Sequence, residues 1–208
     1  DLVEMLQFGG PVGEDALRCK RIIDDLRDFS RRHELAVASA DLNTLVHDAL
    51  QATARSGRLQ GITVATELAR GIPPVPCDAA RMEQVLANVL SNAAQCMPQG
   101  GILTVGTALR AGYAEISVAD TGPGIPRAIR NRVFDPFFTT KPEGTGLGLS
   151  IVHTIMTAHG GRVEIDSVTR EDHEVSPSRP MGTRVALLLP LAGGRGEQSL
   201  PAAGATGG

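Results

Sequence analysis

The chain has 208 residues and a formal net charge of −3, with 42% hydrophobic side chains and charges of both signs. That is enough for one domain plus an appendage, with an ordinary supply of core residues. The charge balance gives no reason to expect nucleic acid as a partner. Cys19, Cys77 and Cys96 show no CxxC spacing, which suggests reduced thiols in a cytoplasmic setting. No apolar run is long enough to span a bilayer and no signal peptide opens the sequence. A first residue of Asp1 rather than Met hints at an excised fragment of a longer protein, for which membrane attachment stays open.

Taken in chain order, Phe8 to Gly13 is a break, and Glu14 to Arg32 reads as a helix. Cys19, Ile22, Leu26 and Phe29 form its apolar stripe, suited to packing on another helix. Asp41 is placed to N-cap a helix carrying Leu42, Leu45, Val46, Ala49 and Leu50. Ile62, Val64 and Thr66 alternate as a strand, and Gly71 to Pro76 is a turn-rich break. Asp78 caps a helix running to about Met97. Ile102–Leu109 and Tyr113–Ala119 read as a hairpin turning at Ala111-Gly112. Asp120 to Leu149, rich in Gly, Pro and Thr, reads as a long functional loop with a short helix near Arg127 to Val133. A helix from about Gly148 to His159 follows. Two strands, Arg162–Ser167 and Thr183–Leu189, flank a polar loop from Arg170 to Pro180, and a disordered Gly/Ala tail closes the chain. Strands in hairpins, rather than in strict alternation with helices, argue for α/β (α+β) architecture. We expect a two-layer sandwich: a mixed five-stranded sheet with about three helices on one face, plus an N-terminal helical segment.

Three features carry chemistry. In the helix after Asp78, Met82, Val85, Leu86, Val89, Leu90 and Ala93 form the core stripe. Asn88 and Asn92, four apart, share a face beside it. Amide oxygens in such a row suit Mg²⁺, although taken alone they read more readily as a solvated polar face. In Asp120-Thr-Gly-Pro-Gly-Ile125 a strand ends on a carboxylate able to accept from an exocyclic amine, and the glycines admit a flat ring. Taken alone it reads as a turn. Gly144-Thr-Gly-Leu-Gly148 feeds a helix N-terminus, a favourable place for phosphate. It lacks the Gly-Lys-Ser/Thr of a Walker loop.

In combination and in this order, these elements resemble the histidine-kinase branch of the ATPase superfamily shared with gyrase, Hsp90 and MutL. The resemblance runs from about Asp41 to Pro190. Glu83 to Ala93 looks like the N box, Asp120-Thr-Gly-Pro-Gly like the G1 box and Phe134-Asp-Pro-Phe-Phe-Thr-Thr-Lys141 like the F box. Gly144-Thr-Gly-Leu-Gly-Leu149 looks like the G2 box, and Gly182-Thr183 like the last glycine box.

The resemblance implies that Asp120 reads the adenine amine while Gly122, Gly124 and Ile125 line the base. It implies that Asn92, assisted by Asn88, holds Mg²⁺, and that Thr145, Gly146, Leu147, Gly148 and Leu149 cradle the phosphates. Lys141 would contact the γ-phosphate, Thr183 would bond near Asp120 or the base through its hydroxyl, and Phe134 to Gly144 would form a lid. Gln95 stands where several relatives carry a basic residue. Asn88 replaces the glutamate that gyrase-like relatives use as a base, which disfavours hydrolysis as the output.

Residues 1–36 would be part of a dimerisation hairpin, 37–191 the ATP-binding catalytic domain and 192–208 a tail. The phosphoacceptor histidine would lie on a missing upstream helix, in the same or a partner chain. His33-Glu34 is best read as an exposed linker. A response regulator receiver domain and a homodimeric full-length protein are the implied partners. The alternatives are a nucleotide-gated binding module, a gyrase- or MutL-like hydrolytic ATPase and, weakest, a nicotinamide-binding oxidoreductase.

Overall fold

The computed structural model describes residues 34–141, 144–176 and 178–191. The expected helix at Glu14 to Arg32, the His33 position and the tail beyond 191 lie outside the described residues.

Each long helix forms where a cap meets an apolar stripe. Asp41 Oδ1 accepts from the Thr44 N–H at 2.8 Å and opens α1 (Leu42–Arg55), which buries Leu42, Leu45, Val46 and Ala49. Asp78 does the same for α2 (Ala79–Gln95), where its Oδ1 accepts from the Arg81 N–H at 3.1 Å. Its Oδ2 also accepts from the Ala36 N–H at 3.0 Å, so one carboxylate fastens the preceding chain to the helix start. Burial pushes the Asp78 carboxyl up, but these N–H donors and the charge of Arg81 outweigh it and hold the carboxyl below its ordinary range. All six residues of the expected α2 stripe are buried.

The main sheet has five strands in the order β2 (Ile62–Leu68), β4 (Gly101–Arg110), β5 (Tyr113–Asp120), β7 (Gly182–Pro190), β6 (Arg162–Val168). Its β2–β4 pair is parallel and the remaining pairs are antiparallel, so the sheet is mixed, as expected. Three long helices, α1, α2 and α4 (Gly148–Ala158), cover one face. Leu103, Val105, Ile116, Val118, Leu187 and Leu189 meet them there.

The opposite face is closed by long polar side chains. Arg162, Leu188 and Glu115 lie side by side across β6, β7 and β5. Leu188 is fully buried, and Glu115 is buried with it. Arg110 and Arg184 both donate to Glu115, Arg110 also donates to Glu164 at 2.9 Å, and the Arg162 guanidinium lies 4.3 Å from the Tyr113 ring centroid.

Two expectations needed correction. Gly71–Pro76 is not wholly a break: β3 (Val75–Cys77) pairs antiparallel with β1 (Ala38–Ala40), with Val75 and Cys77 fully buried. The supposed polar loop from Arg170 to Pro180 contains helix α5 (Arg170–Val175). Thr169 caps α5 reciprocally with Asp172, and such a box stabilises even a single turn. The short helix after Asp120 is α3 (Arg127–Arg130).

Candidate nucleotide site

One end of the site is built where β5 and β7 end side by side. Asp120 is the last residue of β5 and pairs with Thr183. Its Oδ1 accepts from the Gly122 N–H at 2.8 Å and the Thr183 N–H at 3.2 Å. Both donors fall on the same carboxylate oxygen, Oδ1. Burial pushes the carboxyl above its ordinary value of 3.8; the two N–H donors and the Lys141 charge oppose this without reversing it.

Gly182, beside Thr183, is required sterically. Its φ is +132°, and a Cβ there would lie 1.9 Å from the Asp120 carbonyl oxygen. The strands can approach this closely only without a side chain.

Ser167 on β6 was missed by sequence reasoning. Its Oγ accepts from the Ile125 N–H at 2.7 Å and lies 3.0 Å from the Gly182 carbonyl oxygen and 2.9 Å from the Thr183 hydroxyl. It is 2% exposed, so its polar atom is satisfied only by this network. Thr183 therefore reaches Asp120 through its backbone N–H, while its hydroxyl is engaged by Ser167. A serine at the end of a strand carries no sequence signal of such a role.

The Ile125 carbonyl accepts from Arg130 Nε at 2.8 Å, so both backbone polar groups of this residue are held. Arg130 and Arg127 in turn bond Asp172 of α5, at 2.9 and 3.0 Å. The Thr169 N–H leads the causes that hold the Asp172 carboxyl down at about 2; its hydroxyl and the two arginines add to it, against a partial desolvation cost. Gly122 and Gly124 lie in this same loop.

The other end is formed by α2 and the start of α4. Asn88 and Asn92 are half-buried on the α2 surface facing Gly148. A Cβ built on Gly148 would lie 3.6 Å from Asn92 Nδ2 and 3.7 Å from Asn88 Oδ1. The amide row and the glycine-rich loop are thus brought face to face, as their order in sequence implied. No side chain caps α4, whose N-cap residue is Leu147. The N–H groups of its first turn have no intrahelical acceptors, and the helix dipole adds positive potential there.

Thr145 Oγ1 accepts weakly from the Leu147 N–H at 3.4 Å, Leu147 is buried and Leu149 is half-buried in the first turn. Gly146 has φ +70°, and a Cβ there would lie 2.3 Å from the Phe137 carbonyl carbon. Phe137 itself has φ +67° and an exposed ring, so the preceding loop packs backbone to backbone on the glycine loop.

Lys141 Nζ donates to Gln95 Oε1 at 2.8 Å. On α4, His153 stacks obliquely on Phe134, ring centroids 5.4 Å apart, and His159 has another task. Its Nε2 accepts from the Asp78 N–H at 2.9 Å, with Nδ1 2.8 Å from the Ile155 carbonyl, so it locks the end of α4 to the start of α2.

The model of the histidine kinase-, DNA gyrase B-, and HSP90-like ATPase family matches residues 77–193. The chain is 32% identical over 188 residues to the sensor histidine kinase ZraS of Escherichia coli O157:H7, which is 90% of this chain and 39% of ZraS. The crystal structure of full-length ShkA in complex with AMPPNP superimposes with a TM-score of 0.72 at 26% identity, covering 86% of this chain and 37% of that one. The mycobacterial sensor histidine kinase MprB superimposes with a TM-score of 0.60 at 31% identity, covering 76% of this chain and 97% of that one.

The chain belongs to the histidine kinase-, DNA gyrase B-, and HSP90-like ATPase family. Within it, the chain is an ATP-binding catalytic domain of the sensor histidine kinase type. It spans well under half the length of ZraS.

Proposed function

We propose that this domain grips ATP with Mg²⁺ and presents the γ-phosphoryl to the imidazole of a histidine on a helix of the same or a partner chain. The observation that carries this reading is the pairing of Asn88 and Asn92 with the uncapped start of α4 at Gly148. Asp120 Oδ2 accepts from the adenine amine, beside Gly122, Gly124 and Ile125. The N–H groups of Gly146, Leu147, Gly148 and Leu149, with Thr145, face the phosphates, and Lys141 faces the γ-phosphate. Thr183 acts through Asp120, which its N–H orients.

The residues present suit Mg²⁺. Asn88 and Asn92 offer hard, neutral oxygens, and the described residues contain no group of three or more His, Cys, Asp or Glu that could hold a metal by themselves. The remaining coordination would come from phosphate oxygens and water, which is the usual habit of this ion. When bound, Mg²⁺ supplies charge neutralisation at the phosphates.

In the transfer a bond forms between an imidazole nitrogen and the γ-phosphorus. The bond to the β–γ bridging oxygen breaks, and ADP leaves with its electron pair. The chain contributes position and backbone donors rather than covalent chemistry. Asn88 and Asn92 cannot take a proton from water, which argues against a hydrolytic clamp. The reading implies a receiver domain as the next phosphoryl acceptor, a homodimer for the whole protein and a cytoplasmic place for this domain. No helix among the described residues is long and apolar enough to cross a membrane.

Calorimetric titration with AMPPNP tests the nucleotide site. Binding should require Mg²⁺ and be lost in Asn92→Ala. Transfer is tested by adding the phosphoacceptor helix and assaying acid-labile phosphohistidine from ATP. Steady phosphate release without phosphohistidine would favour the clamp, and binding without either product a nucleotide-gated module.

A further inference from the structure

We infer that Gln95 is a positioning residue that docks the Phe134–Lys141 loop over the phosphate end of the site by holding Lys141. This inference rests on the nucleotide reading above. Gln95 ends α2, three residues beyond Asn92 and so on the same side of the helix. Its Oε1 accepts from Lys141 Nζ at 2.8 Å across 46 positions of sequence. Its Nε2 lies 3.4 Å from Ser91 Oγ, which turns the oxygen toward the lysine.

The arm is braced at its root. The Lys141 N–H donates to Thr139 Oγ1 at 3.1 Å, and the Lys141 carbonyl accepts from the Gly144 N–H at 3.1 Å. The Lys141 charge opposes the burial-driven rise of both the Cys96 thiol and the Asp120 carboxyl.

The chemistry of the holder decides what the lysine can do. A carboxylate at position 95 would neutralise the ammonium and repel phosphate. A basic residue would drive the ammonium away. A neutral amide holds it through one hydrogen bond and leaves its charge uncancelled, and no described carboxylate forms a salt bridge with Lys141. The held cation then faces the most highly charged end of the nucleotide, so the pair should favour a triphosphate over a diphosphate.

The test compares Mg²⁺–AMPPNP and Mg²⁺–ADP binding by calorimetry in the wild type, Gln95→Ala, Lys141→Ala and the double variant. Each single variant should weaken AMPPNP by about threefold to tenfold, the size of one exposed charge-assisted hydrogen bond, and weaken ADP less. The double variant should be no worse than the weaker single, because the residues act as one unit. Gln95 is exposed, so unchanged thermal unfolding of Gln95→Ala separates docking from a folding defect. A wild-type AMPPNP-to-ADP ratio in Gln95→Ala, or fully multiplicative losses in the double variant, would overturn the docking role alone. A wild type that bound neither nucleotide would overturn the nucleotide reading itself.

Discussion

The two ends of the site are built by opposite means. At Asp120 the ligand-facing groups stand on strand ends, and their partners are backbone N–H groups and the buried Ser167 hydroxyl. At Lys141 the groups stand on a loop, held by exposed side chains and by glycine contacts that demand unusual backbone angles at Gly146 and Phe137. On the nucleotide reading proposed above, the first arrangement would suit a rigid base and the second a flexible phosphate chain. Preorganisation would then lie where specificity is needed, and adaptability where the phosphates are gripped.

This contrast can be broken most severely at its rigid end. Gly182→Ala forces a Cβ into the Asp120 carbonyl at a φ no ordinary residue favours, and should cost about 3 kcal/mol or more of unfolding free energy. Denaturant melts check it, and a stability near wild type would show that the strand ends can part. Asp120→Ala should weaken ATP by roughly a hundredfold, the loss of a partly buried charged acceptor. Calorimetry of adenine against guanine nucleotides would show whether the loss is one of base choice. Ser167→Ala should weaken ATP by about tenfold and lower stability by about 1–2 kcal/mol, leaving the Ile125 N–H without its acceptor.

The smallest effects are titrations. The Asp120 carboxyl sits above its ordinary value, and on the proposed reading it must be ionised to accept from the adenine amine. The acid limb of ATP affinity should therefore begin at a higher pH than for an ordinary aspartate and vanish in Asp120→Asn. Asp172 is shifted the other way, from 3.8 in the unfolded chain to about 2 in the fold. Its contribution is present above the unfolded value and is lost as pH falls through the folded one, between about pH 4 and pH 2. Thermal melts of Asp172→Asn against wild type across that window should converge at its acid end.

Much of this was legible in the sequence because it was local. The α2 stripe from Met82 to Ala93, the caps at Asp41 and Asp78, and the Ala111-Gly112 turn each follow from a few neighbouring residues. The meeting of Asn88 and Asn92 with Gly148 was also anticipated, but through the order of motifs rather than through any spacing. What escaped was short or long-range. β3 is three residues rich in proline neighbours, made a strand only by pairing with a segment 37 positions earlier. Helix α5 hid behind its polarity, although Thr169 and Asp172 stand at capping-box spacing. Ser167 looks like any strand serine until β6 and β7 are set side by side. His159, read only as the end of a helix, proves to be a brace between two helices.

The charged roof over Leu188 and Glu115 has a consequence beyond stability. A sheet covered on one side only would ordinarily leave an oily surface in search of a companion. Here the arginine stems and paired head groups serve as the missing layer over these two side chains, which are sealed from water without a second sheet or helix above them.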